Sequence, residues 1–179
     1  MLKDFRYQKQ MTAIHIDEIK TIARQANADP DVRERLVADV LGSERDTAVQ
    51  SAWALTHLSK DGYVSLATHR EALTVKAIST ANTSLRRLSL ALIERLDWPT
   101  EDEPPEYYVR LLDFCLTHMM LATEPYGVRA LCMKLAYRIA QPYPDLLGEL
   151  HRSLLLLEPS ELSPGVRCTY SKILKWSKP

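Results

Sequence analysis

Three arginines stand at matched places along this 179-residue chain: Arg86, Arg129 and Arg167, directly after Leu85, Val128 and Val166. Guanidinium groups repeated in this way can bind phosphates or carboxylates in a row, because each presents a planar fork of N–H donors. The same forks can instead tie down carbonyl or carboxylate groups in the turn before each helix, and Glu124 and Glu161 are near enough in sequence to Arg129 and Arg167 to serve. Both readings are open at this level. Arg87 differs, because Ser51, Ala130 and Cys168 stand at the matching positions and no repeated packing role demands a cation there. Lys134 and Lys172 add to the set, with Lys175 and Lys178 following Lys172 at three-residue steps on one helix face. That lysine face could be simply solvated, or could match an acidic segment. The candidate binding residues are therefore Arg86, Arg87, Arg129, Lys134, Arg167 and Lys172, with Trp98 and Trp176 as candidate aromatic anchors of an interface.

Other chemistry finds little support. The five histidines, His15, His57, His69, His118 and His151, form no i, i+4 pair and no HExxH. There is no glycine-rich phosphate loop and no GxSxG nucleophile elbow. No metal site, cofactor or catalysis is expected. Cys115, Cys132 and Cys168 are odd in number, far apart and set in apolar helical patterns, which predicts buried reduced thiols and a cytosolic location. The first ten residues carry charges where a signal peptide needs an apolar core, and no stretch approaches the ~18 apolar residues of a membrane span.

Basic and acidic residues balance at 23 each, so the whole chain has no bias toward nucleic acid or membrane surfaces. The balance is local only in the first sixty residues. Residues 61–125 carry 6 basic and 10 acidic side chains, and residues 126–179 carry 8 and 4.

The elements that must position these residues read as helices throughout. Apolar residues recur at three and four along Ile16, Ile19, Ile22 and Ala23, then along Val32, Leu36, Val37 and Val40 after an Asp29-Pro30 start. Asp46 is the expected cap of a third helix containing Trp53, which is expected in the core. One helix is expected over Tyr63–Ile78, although Leu73-Thr74-Val75 would also fit a strand. Asn82-Thr83-Ser84 offers caps for a helix carrying Leu85, Leu88, Leu92 and Leu96. Residues 97–106, rich in Pro and acid, form the one clear loop, and apolar stripes resume beyond it to the chain end.

About nine helices result, and they pair. Val49, Leu85, Val128 and Val166 are equivalent positions separated by 36, 43 and 38 residues, which is the period of a stacked helix-pair repeat. The phrase Gly127-Val128-Arg129 with Lys134-Leu135 returns as Gly165-Val166-Arg167 with Lys172-Ile173, where the Val and Lys-apolar steps read as packing positions. One all-α domain over residues 1–179 is predicted, a short right-handed α-α superhelix in which only stacking buries both faces of each pair.

Three stretches carry a family resemblance: Gln50-Ser51-Ala52-Trp53-Ala54-Leu55, Leu85-Arg86-Arg87-Leu88-Ser89-Leu90 and Cys168-Thr169-Tyr170-Ser171-Lys172-Ile173-Leu174. Together with the Val-Arg helix starts they resemble small bacterial HEAT-like, armadillo-type repeat proteins over about residues 15–176. The resemblance implies a non-enzymatic scaffold that binds another protein, or itself, through the surface of its second helices. Leu85-Arg86-Arg87 also looks like part of the HEAT-like alkylpurine DNA glycosylases, which implies a DNA-binding alternative. Against it stand the neutral chain and the absence of a carboxylate with flanking groove tryptophans.

Overall fold

The computed structural model describes residues 15–42, 45–98 and 103–178. The N-terminal stretch before His15 and the centre of the acidic loop, residues 99–102, lie outside the described residues. Among those described, every regular element is helical: α1 (Ile16–Ala28), α2 (Pro30–Gly42), α3 (Asp46–Leu55), α4 (Lys60–Leu66), α5 (Arg70–Ser79), α6 (Thr83–Arg95), α7 (Glu106–Met120), α8 (Tyr126–Ala140), α9 (Pro144–Leu155) and α10 (Pro164–Trp176), with short 3-10 turns at Ala67–His69 and Pro159–Glu161.

Local chemistry accounts for most of the boundaries. Asp29 Oδ1 accepts from the Asp31 amide at 2.9 Å, while Pro30 at the first helical position gives up a donor that has no intrahelical partner anyway. Asn82 Oδ1 accepts from the Leu85 amide at 3.1 Å and starts α6. Asp46 is not the cap expected of it: Arg45 holds the cap position, and Asp46 stands inside the first turn, where its charge meets the positive end of the helix dipole. The helix expected over Tyr63–Ile78 is two helices. Its chain tightens into a 3-10 turn at Ala67–His69, and Leu66 below the break and Leu73 above it are both fully buried. The Leu73-Thr74-Val75 segment is helical, its apolar alternation overridden by packing of Leu73 and Ala77 into the core.

The pairs are α2 with α3, α5 with α6, α7 with α8 and α9 with α10, and α1 packs on both helices of the first. Successive second helices stack directly, α3 on α6 on α8 on α10, and first helices α2, α5 and α7 stack beside them. The fold is an all-α, solenoid-like stack of two layers. Val128, Val166 and Leu85, three of the equivalent helix-start positions, are buried, whereas Val49 in the first pair is half-buried. Trp53 is also only half-buried, lying against the core. Fully enclosed side chains such as Leu55, Leu90, Ile93, Leu111 and Met133 form one continuous core through the stack. Each contributes about 1.5–3 kcal/mol relative to exposure.

Candidate interaction surface

The three matched arginines point back, into the turn between the two helices of their own pair. Arg86 Nη2 donates to the Thr80 carbonyl at 2.8 Å, Arg129 Nε to the Met119 carbonyl at 3.0 Å, and Arg167 Nη2 to the Leu162 carbonyl at 2.9 Å. The last carbonyls of a helix have no intrahelical donor, and Arg86 and Arg129 supply one at the ends of α5 and α7, whereas Arg167 supplies one to the residue after the Pro159–Glu161 turn. Glu124 is not the partner of Arg129, as its position in sequence suggests. It pairs with Arg86 across the stack, Nη1 to Oε1 at 3.2 Å, since the α7–α8 turn lies over the start of α6. Arg167 likewise meets backbone, with Ser160 as its second acceptor at 3.5 Å. The row grades from enclosed to open: Arg129 is 5 % exposed, Arg86 is half-buried and Arg167 is exposed.

Around Arg86 a polar cluster has formed between two pairs. His118 Nδ1 lies 2.6 Å from Glu124 Oε1, its ring stacks on Phe114 at 3.8 Å between centroids, and the Arg86 guanidinium sits over that same phenyl ring. Its Arg86–Glu124 ion pair joins α6 of one pair to the α7–α8 turn of the next.

A second set of arginines, Arg95 and Arg138, escaped the sequence reading. Arg138 Nη1 donates to the Glu94 carbonyl and Nη2 approaches the Leu96 carbonyl at 3.5 Å, so α8 closes the C-terminus of α6. Arg95 does the same one step earlier, donating to the Thr56 carbonyl at the end of α3 and to the Tyr63 hydroxyl at 2.7 Å. The signal was present: Arg86 to Arg129 and Arg95 to Arg138 are the same 43-residue step. At the equivalent place in α10 the chain has Trp176, 38 residues beyond Arg138.

On the second helices, the cations left over are the informative ones. Arg87, Lys134, Lys172 and Lys175 are all exposed, and among the described residues none of the four has a hydrogen-bond or ion-pair partner. Lys134 and Lys172 are equivalent positions on α8 and α10, and Arg87 lies one turn before the matching position on α6, on the same face. The Arg87 stem passes over Gly127 of the next helix, where an added Cβ would meet its Cδ at 3.2 Å. The repeated phrase therefore divides: its arginine turns inward to backbone, its Leu135 or Ile173 is buried, and its lysine faces out. Charge follows the layers as well. The second helices α3, α6, α8 and α10 hold nine Lys and Arg against two Asp and Glu, and the first helices α2, α5, α7 and α9 hold six against eight.

A stack of helix pairs with carbonyl-capping arginines at both ends of its second helices calls for comparison with known repeat families. The family model of the HEAT repeat domain matches residues 7–177. The chain belongs to the HEAT repeat family. Comparison with curated proteins and with solved structures finds no match. HEAT repeats serve generally as scaffolds for protein interaction, their stacked helices offering an extended surface.

The two aromatic candidates have different settings in this HEAT stack. Trp98 is half-buried: its Nε1 donates to the Ile93 carbonyl at 3.2 Å, its ring stacks on Tyr108 at 4.5 Å, and Arg138 lies over it. Trp176 is 52 % exposed and touches only the Tyr137 ring among the aromatic contacts, at 5.7 Å. Among the described residues no three His, Cys, Asp or Glu side chains converge as metal ligands, and no helix is long and apolar enough to cross a membrane. Cys115 and Cys132 are buried, and burial pushes the Cys115 thiol well above its usual range, with the neighbouring Cys132 adding to the effect. Cys168 is exposed, contrary to the expectation of three buried thiols. It occupies the position that Arg87 holds on α6, one that faces outward on the terminal helix.

Proposed function

We propose that the whole chain acts as one non-enzymatic HEAT scaffold that binds a partner protein through the outer face of its second helices. The observation that carries this reading is the division of the cations. Arg86, Arg129, Arg95 and Arg138 have backbone acceptors, whereas Arg87, Lys134 and Lys172 stand unpaired on three consecutive second helices. Unpaired charges on one face raise encounter rates and select partners by complementarity. Trp176, exposed beside them at the end of the stack, supplies apolar contact area. Buried free thiols at Cys115 and Cys132 fit a reducing compartment, and we place the protein in the cytoplasm.

The test is capture from native cells with the wild-type chain and with the double variant Lys134→Glu/Lys172→Glu. A protein recovered with the first and lost with the second supports the reading. Recovery of the same proteins with both would refute the proposed surface, and recovery of the chain's own copies alone would make the partner itself. A second reading, duplex DNA on the same face, draws on the basic second-helix layer. It predicts binding that falls steeply between about 50 and 200 mM salt.

A further inference from the structure

We infer that the partner of this face is an acidic polypeptide segment in extended conformation, crossing α6, α8 and α10 in turn, an inference that rests on the scaffold reading above. Packed helices lie about 8–10 Å apart, so the unpaired cations of α6, α8 and α10 make a row with roughly that pitch. A polyproline II-type extended chain advances about 3.1 Å per residue with three residues per turn, so carboxylates three residues apart recur on one side every ~9 Å. Asp or Glu at that spacing meets Arg87, then Lys134, then Lys172 or Lys175, one to one. Duplex DNA is a poorer match, because it carries one charge per ~1.7 Å of axis and so offers about ten over the two interhelix steps that separate α6 from α10. Four unpaired cations leave most of those charges unanswered. On the second helices the planar guanidinium forks best suited to phosphate are, Arg87 apart, bonded to backbone carbonyls.

Between the cations the face is small and apolar, with Ala91, Ala130 and Leu131 only partly covered, and it ends at the exposed Trp176. An extended segment can lie close to such a surface and set an apolar side chain against the indole. The acidic partner is thereby given a direction, its carboxylates leading across α6 and α8 and its apolar residue at the α10 end.

Fluorescence anisotropy on the full chain decides the matter with four labelled probes: a 14-residue peptide with Glu at every third position and one Trp near its end, the same peptide with Gln for Glu, one with Lys for Glu, and a 20-base-pair duplex. The Glu peptide is expected to bind most tightly at 50 mM salt. Lys134→Glu/Lys172→Glu is expected to weaken it about tenfold and to bind the Lys peptide instead, while Lys60→Glu, on α4, changes it less than twofold. Circular dichroism of each variant checks that the fold is kept. Tighter binding of the duplex than of the Glu peptide, or equal binding of the Glu peptide by wild type and double variant, would overturn the inference. Failure of all four probes with a cellular partner still lost in the double variant overturns the acidic segment alone. Failure of both experiments removes the scaffold reading too.

Discussion

Replacing Arg129 separates a structural arginine from a binding one. Its side chain is 95 % covered, and its Nε donates to the Met119 carbonyl at 3.0 Å, in the last turn of α7. Arg129→Ala leaves that carbonyl without its donor in a place water does not easily reach, and a hydrogen bond to a charged group contributes about 1.5–3 kcal/mol. The aliphatic stem is also packed, so its removal adds about 1 kcal/mol. The expected loss is about 3 kcal/mol, which for a chain of this size lowers the melting temperature by roughly 6–12 °C. Arg129→Met keeps the stem and loses only the donor, so it should fall between wild type and the alanine variant. Arg167→Ala, with an equivalent bond but an exposed side chain, should cost about 1 kcal/mol or less. Lys134→Ala should stay within ~0.5 kcal/mol of wild type. Urea denaturation followed at 222 nm gives all four values. If Arg129→Ala proved as stable as Lys134→Ala, the argument that burial and backbone bonding consume this arginine would be refuted.

Arg138→Ala is expected to cost about 2 kcal/mol through the lost Glu94 and Leu96 carbonyl contacts, and to change tryptophan emission because the guanidinium covers the Trp98 ring; unchanged emission would contradict that placement. His57 titrates below the ordinary 6.5 because of partial burial, then Arg95, then Lys20. Arg95→Gln should therefore move its midpoint upward, as read from imidazole proton shifts. The sign for stability follows: the unfolded chain binds the His57 proton more readily than the folded one, so this contribution is present above pH 6.5 and is lost as pH falls through the lowered folded value. Alkylation of the native protein should modify Cys168 alone, with Cys115 and Cys132 reacting only on unfolding, and intact-mass measurement would show one adduct before denaturation.

The helix pairs were legible in the chain because their signal is local. A 3.6-residue apolar period, Pro and Asn at helix starts, and recurrence at 36 to 43 residues all follow from what each pair needs in order to stack, so Leu85, Val128 and Val166 were found in the core from spacing alone. The Asp46 cap and the single helix over Tyr63–Ile78 failed for the complementary reason: several local solutions were available, and in the second case the chain breaks between the two buried residues Leu66 and Leu73. Among the cations the sequence could name the residues but not their roles. Arg86 and Arg167 share a motif with Arg129, yet only Arg129 is enclosed, Arg86 being half-buried and Arg167 exposed. Glu124 was assigned to the nearest arginine in sequence and pairs instead with Arg86, 38 residues away. The segregation of nine basic residues onto the second helices was likewise invisible in a chain of zero net charge, since a linear count averages the two layers that stacking pulls apart. The sequence by itself determined which residues repeat. Which of the repeated cations turn inward to backbone carbonyls, and which stay free on the surface, was decided only when neighbouring pairs closed over some of them and left Arg87, Lys134 and Lys172 in water.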